Sequence, residues 1–386
     1  MSWIKSGLLS VFISIVIIKL IDISFGFFVF NSGISKIVLA ENRWIVLREY
    51  DPDQRAKIDI NVPRDYYENL EDKEYLVNVD ENGFISTGNE SEENVDIKVA
   101  FFGGSTTEST LVDEKMRFTS QVERSLRNKL SKKVKVMNAG VAGNNSMHSN
   151  FSLLAKGVPL NLDVAVLMHN MNDLAVVART RSYWNAPESR VIVANRDVKS
   201  KKADEVIYDD RSYMQKLAKK LKDLLFPYLY DYIKPRLEIR FGLIDETYES
   251  SVDEFKDIRQ NKLDLGSVEQ FKQSLLTFIS ICQAWKIKPV LMTQANRFNI
   301  DDTFYIKWAR AWQRQYNHRE LIYIFELFND AIREVAKEEK VLLIDLASHI
   351  PQEPAYMYDI VHLTKKGSKL ASDKIVETML EANIFQ

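Results

Sequence analysis

The chain has 386 residues, enough for one large α/β domain with attachments or for two small domains. Hydrophobic residues make up 46% and charged residues 27%, which excludes global disorder, and 52 Lys and Arg against 54 Asp and Glu exclude the basic excess of a nucleic-acid binder. The single cysteine, Cys282, excludes intramolecular disulfides and multi-cysteine metal sites; its apolar run, Phe278-Ile279-Ser280-Ile281-Cys282, reads as an inert core thiol.

From Gly7 to Ile18 every residue is apolar, Gly or Ser, and after Lys19 the chain is apolar again to Phe30, broken by Asp22, Ser24 and Gly26. About 20 residues cross a bilayer core, so Ile4 to about Ile23 is expected to form a transmembrane helix within an N-terminal anchor, 1–30. Lys19 and Asp22 are three apart and share a helix face. A cleaved signal peptide ending at Val38-Leu39-Ala40 fits less well, because that tripeptide lies too far beyond the apolar run. Lys5 on one side and Lys36, Arg43 and Arg48 on the other leave the positive-inside count undecided. A short leading tail that stays in the cytoplasm would put the bulk of the chain on the extracytoplasmic side.

Residues 31–95 are polar, with Pro52, Pro63 and the turn signal Glu81-Asn82-Gly83, and read as an approach segment with a few short strands or turns. Beyond it strands and helices alternate. Ile97–Phe102, Val134–Met137, Val164–Met168, Pro289–Met292 and Val341–Ile344 are short, mostly continuous apolar runs, the pattern of parallel strands buried on both faces. Between them Phe118, Val122, Leu126 and Leu130 make a helical core stripe, and Val268 to Trp285 and Ile322 to Ala336 follow the same period. The alternation implies an α/β domain over 96–386, with a five-stranded parallel sheet and helices on both faces. One region, about 179–265, has no comparable strand and reads as an insertion; its lysines Lys216, Lys219, Lys220 and Lys222 fit a solvated helix face.

Lys98-Val99-Ala100-Phe101-Phe102-Gly103-Gly104-Ser105 runs an apolar strand into a tight turn, which lifts the Ser105 hydroxyl to the carboxyl end of the sheet, where open α/β folds bind ligands. Alone, Gly-Gly-Ser also fits a strand-to-helix turn with Ser105 as N-cap. Near the other end lies Tyr358-Asp359-Ile360-Val361-His362. An Asp three residues before a His can hold the imidazole in the tautomer that takes a proton from a serine, and a hydroxyl needs such a base at neutral pH. Two oxyanion-donor candidates follow successive strands: the turn Asn138 to Asn145, with Gly143, and His169-Asn170-Met171-Asn172-Asp173, whose Asn172 amide can donate an N–H.

These blocks, in this order, resemble the SGNH hydrolases, also called GDSL-type lipases and esterases. Gly103-Gly104-Ser105, Asn138 to Gly143, Asn170 to Asp173 and Asp359 to His362 correspond to the family's four blocks, and the resemblance covers roughly Val95 to Glu381 without the insertion. It implies a flavodoxin-like three-layer α/β/α sandwich. It implies Ser105 as nucleophile, His362 as general base and Asp359 as its orienter, with the Ser105 and Gly143 N–H groups and the Asn172 amide as oxyanion hole. Two positions depart from the pattern: Gly104 stands where the family has Asp, and Asn170 where it has Gly. Asn82-Gly83-Phe84 ahead of the serine block also looks like membrane-tethered bacterial members associated with surface glycans.

The expected function is a serine esterase acting without cofactor on an acylated carbohydrate or other small ester, with an O-acetyl group on a glycan favoured. An O-acyltransferase would use the same triad, and a non-catalytic glycan-binding or assembly protein would keep the groove without turnover. A nucleotide-binding reading fails, because Gly103-Gly104-Ser105 lacks the further glycine and the lysine of a phosphate loop. His148 and His169 sit in no ligand-spaced cluster, so no metal is expected. Tyr305, Trp308, Trp312 and Tyr316 could stack on a sugar, though packing explains them more simply.

Overall fold

The computed structural model describes residues 16–21, 48–58, 69–71, 73–89, 94–180, 182–185, 265–298 and 318–386. The chain divides into two compact units, Met1–Ser35 with Tyr208–Ser251, and Lys36–Ile207 with Val252–Gln386. Of the first, only residues 16–21 are described, and they are helical.

The expected membrane anchor finds no support in the described helices. Among the described residues no helix is long and apolar enough to cross a membrane. The remainder of the Ile4 to Ile23 stretch lies outside the described residues. The single-pass placement, and the extracytoplasmic location that followed from it, are therefore withdrawn.

The second unit is built on a parallel sheet of five strands: β3 (Ile97–Gly103), β4 (Val134–Gly140), β5 (Val164–Met168), β6 (Lys288–Met292) and β7 (Leu342–Ile344), in the order β4-β3-β5-β6-β7. A separate antiparallel hairpin pairs β1 (Arg55–Ile58) with β2 (Tyr75–Asn78). Among the five, the first strand in sequence is flanked by the second and third, the flavodoxin-like 2-1-3-4-5 order, so the loops leaving β3 and β5 diverge and open a crevice at their carboxyl ends.

Strand pleating sorts the core into two layers. Val99 and Phe101 of β3 face a cluster with Phe118, Val122 and Leu126 of α2 (Phe118–Leu130), Leu346 of α7 (Leu346–His349), and Ala371, Ile375 and Met379 of α8 (Lys365–Glu381). Ala100 and Phe102 face the other side, against Phe271, Leu275 and Phe278 of α5 (Leu265–Ala284) and Phe325 and Phe328 of α6 (His318–Glu338). Edge-to-face ring pairs, Phe101 on Phe118 at 5.6 Å and Phe102 on Phe278 at 5.8 Å, pin β3 to both layers. Cys282 lies fully buried in the second layer, where burial pushes its thiol up to about 12, so it stays a neutral packing group.

The polar stretch before the sheet is folded against it in the same unit. Asp80 closes the Glu81-Asn82-Gly83 turn by accepting the N–H groups of Asn82 and Phe84, each at 2.9 Å. The chain then lays Ile85 along the outer edge of β4, its N–H donating to Asn138 O at 2.9 Å. Most of the expected insertion, residues 186–264, and the aromatic group from Tyr305 to Tyr316 lie outside the described residues.

Candidate functional site

Ser105 opens a one-turn helix, α1 (Ser105–Glu108), directly after β3 and the extended Gly104, and sits half-buried. Being the first residue of a helix, its N–H is among the donors that have no partner inside the helix. The turn is tightly enclosed: a Cβ on Gly103 would come within 2.8 Å of Met168 O, and one on Gly104 within 2.3 Å of Asn172 Nδ2. The departure from the family pattern at Gly104 thus has a local reason. Without a side chain there, the Asn172 amide can close on the serine turn.

The loop that carries the histidine is a small antiparallel turn. Met357 bridges Leu363, and Tyr358 N donates to His362 O at 2.9 Å. Asp359 organises its interior: Oδ1 accepts from Val361 N at 2.9 Å and His362 N at 2.7 Å, while Oδ2 lies 2.6 Å from His362 Nδ1. His362 Nε2 then meets Ser105 Oγ at 2.7 Å, across 257 positions of sequence. Tyr358 lies parallel to the imidazole, 7° between planes, which helps fix its tilt. Thr364 caps α8 by accepting from Gly367 N at 3.1 Å, so the loop ends on a rigid element.

Burial favours the neutral ring of His362, but the charge of Asp359 and their hydrogen bond, with a further push from Glu108, outweigh it and hold the imidazole above its ordinary value of 6.5. The chain therefore joins Ser105, His362 and Asp359 in one hydrogen-bonded line. A line of this kind can move a proton off the serine as its oxygen attacks an electrophile.

The oxyanion candidates converge on the same turn. Asn172, second residue of α4 (Met171–Thr180), donates through Nδ2 to Asn144 O at 2.8 Å. Gly143 occupies the turn after β4 with φ +77, a conformation that favours glycine. Ser105, Asn172, Gly143 and His362 all follow carboxyl ends of strands or sit in loops gathered there.

Several functional groups carry no sequence signal of their own. Gln294, two residues past β6, donates from Nε2 to Thr106 Oγ1 at 2.7 Å and accepts from Met171 N at 3.0 Å, tying the loops after β3, β5 and β6 together. Glu108, at the end of α1, is fully buried; it accepts from Ala142 N at 2.9 Å and from the Tyr50 hydroxyl. Burial raises its carboxyl above the ordinary range, against the pull of those two bonds. The only hint was position, since each lies within a few residues of a strand's carboxyl end.

The two histidines first weighed as metal ligands have structural partners. His148 completes a capping box with Asn145 at the start of α3 (Ser146–Ser152). His169 Nε2 pairs with Ser149 Oγ at 2.7 Å, and burial lowers its ring to about 3, so it stays neutral. Asp173 accepts from Ser146 and from Tyr183 Oη at 2.6 Å, and burial lifts it to about 6. Asn170, the other departure from the family pattern, donates to Phe325 O and Asn329 Oδ1, each at 2.9 Å, which locks the loop after β5 onto α6.

No protein-family model and no curated protein sequence matches the chain. Among solved structures it is similar to an acetyl xylan esterase, AlAXEase, with 16% identity over 73% of this chain and 98% of that one and a TM-score of 0.40. It is likewise similar to a lipase/acylhydrolase from Enterococcus faecalis, 14% identical over 74% and 96% of the two chains with a TM-score of 0.40. A GDSL-like lipase from Bacteroides thetaiotaomicron is 14% identical over 74% and 88% with a TM-score of 0.37. With its four motif blocks in order, its 2-1-3-4-5 strand order, and serine, histidine and aspartate joined at one end of the sheet, the chain is similar to the SGNH hydrolases.

Proposed function

We propose that the chain is a serine esterase that cleaves an acyl ester, with O-acetyl groups on a carbohydrate as its substrate class. The observation that carries this reading is the continuous line from Asp359 Oδ2 to His362 at 2.6 Å and from His362 Nε2 to Ser105 Oγ at 2.7 Å. In the proposed cycle Ser105 Oγ attacks the ester carbonyl while His362 Nε2 takes its proton. The Ser105 and Gly143 N–H groups and the Asn172 amide steady the oxyanion. His362 returns the proton to the departing alcohol, and water then releases the acyl group by the same steps in reverse order. The Asn172 amide and the Asn144 carbonyl press on the serine turn, with the Arg48 guanidinium beyond them on Gly143, a polar setting suited to a hydroxylated substrate more than to a long acyl chain.

A fluorophosphonate probe should label the wild-type chain stoichiometrically, with the adduct mapped by mass spectrometry to Ser105, and p-nitrophenyl acetate should be hydrolysed. A chain that takes no label and turns over no ester would end this reading.

The raised imidazole also fixes a pH dependence. His362 must be neutral to accept a proton, so kcat/KM for p-nitrophenyl acetate should fall on the acid side with an apparent pKa above 6.5. Stability should run the other way. A histidine whose folded value exceeds its unfolded value contributes stability that is fully present below the unfolded pKa and is lost as pH rises through the folded one. Urea midpoints across the same pH series check that sign, and a limb centred below 6.5 would contradict it.

A further inference from the structure

Arg48 belongs to the polar stretch ahead of β1, yet it reaches the turn after β4. Its carbonyl accepts from Asn144 Nδ2 at 3.1 Å. A Cβ built on Gly143 would meet its Nη1 at 2.5 Å and its Nη2 at 3.2 Å, so the guanidinium rests directly on Gly143. The adjacent Asn144 carbonyl receives Asn172 Nδ2 at 2.8 Å and would lie 3.2 Å from a Cβ on Gly104. The positive charge therefore stands one residue from the carbonyl that touches the turn bearing Ser105.

Two other arginines among the described residues are engaged by the fold. Arg117 gives Nε to Ser109 O at 3.1 Å and Nη2 to Leu76 O at 2.6 Å, and Arg333 clasps Asp345 at 2.9 Å and 3.1 Å. Among the described residues no hydrogen bond or ion pair engages the Arg48 guanidinium. Among the described residues the carboxylate acting on it is Glu108, whose Oε1 accepts from both the Tyr50 hydroxyl and Ala142 N. A guanidinium stays charged at all biological pH, and holding it partly out of water with its planar donors unpaired costs stability unless a ligand completes it.

We propose that Arg48 forms an anion subsite at the mouth of the site, which binds a carboxylate or similarly charged substituent carried by the ester substrate. This narrows the esterase reading, on which it rests, to esters on an acidic carbohydrate. A guanidinium recognises a carboxylate through two parallel N–H bonds, and its place beside Gly143 puts that anchor next to the proposed oxyanion donors.

The test compares 4-acetoxybenzoate, an anionic acetyl ester, with its neutral methyl ester, in the full chain and in Arg48→Gln and Arg48→Lys. Arg48→Gln should lower the anionic-to-neutral ratio of kcat/KM by about tenfold or more, chiefly through KM, with Arg48→Lys between it and the wild type. The wild-type ratio should also decline as salt is raised. A ratio that Arg48→Gln leaves unmoved, whether both rates fall together or neither does, overturns the subsite. Calorimetric binding of 4-acetamidobenzoate, which resists hydrolysis, frees the test from turnover. A wild type that hydrolyses no ester but binds this carboxylate through Arg48 keeps the subsite and loses the esterase. Equal affinity for its methyl ester removes the subsite alone.

Discussion

Ser105→Ala and His362→Ala are each expected to lower kcat for p-nitrophenyl acetate by about 10⁴-fold or more, and the double variant scarcely further, because nucleophile and base act as one unit. Without the imidazole, Ser105 Oγ keeps its proton and remains a poor nucleophile at neutral pH; without the oxygen, His362 has nothing to activate. Asp359→Asn should cost about 10⁴-fold on the same grounds, because a carboxamide can present its NH2 to Nδ1 and leave the proton on Nε2, facing Ser105. The carboxylate also accepts the Val361 and His362 N–H groups through Oδ1, which an amide oxygen could still do, so the Asn variant should remain folded. Steady-state kinetics on the three single variants and the double decide the matter. Single losses that multiply in the double, or an Asp359→Asn variant within about threefold of wild type, would contradict a concerted triad.

Gly140→Ala is expected to damage the fold severely for a single-methyl change. Gly140 ends β4 where α1 crosses it, and a Cβ there would meet Glu108 N at 2.3 Å, Thr107 C at 2.7 Å and Glu108 Cα at 2.8 Å. Every one of these is main chain, so relief requires moving either the strand or the turn that carries Ser105. Overpacking of this kind costs about 3 kcal/mol. Urea unfolding should show that loss with an unchanged m-value, and kcat should fall with it because α1 is displaced. A variant within about 0.5 kcal/mol of wild type would show that the contact relaxes freely.

What could be read from the amino acids follows the physics of burial. All five sheet strands were recognisable because parallel strands covered on both faces appear as unbroken apolar runs. β4 was cut short at Met137 because Asn138, Ala139 and Gly140 break that run; Asn138 is instead held inside by its own bonds, Nδ2 to Thr107 O at 2.9 Å and Oδ1 from Gly140 N at 3.0 Å. The order of the loops leaving those strands followed from topology, so the neighbourhood of Ser105 and His362 could be anticipated. Tyr50, Arg48, Glu108 and Gln294 could not. Each is a polar residue whose partner lies far away in sequence, and only the folded chain shows which polar residues are buried and joined. The apolar N-terminal run misled for another reason: hydrophobicity sets what a segment could span, and among the described residues no helix is long and apolar enough to cross a membrane.

The strip of chain that lays Ile85 against Asn138 has one more implication. Shortening the protein to a start near residue 96, a natural-looking place to trim, would strip away both that strip and Tyr50. The Asn138 carbonyl on the outer flank of β4 would then lose the Ile85 N–H it accepts, while Val134 O and Val136 N keep the Arg127 and Glu123 side chains that already engage them. The Glu108 carboxyl would lose its hydroxyl partner beneath the serine in the same cut. The leading polar residues are therefore part of the folded body, and a trimmed chain would bury a carboxyl without its partner next to the serine turn.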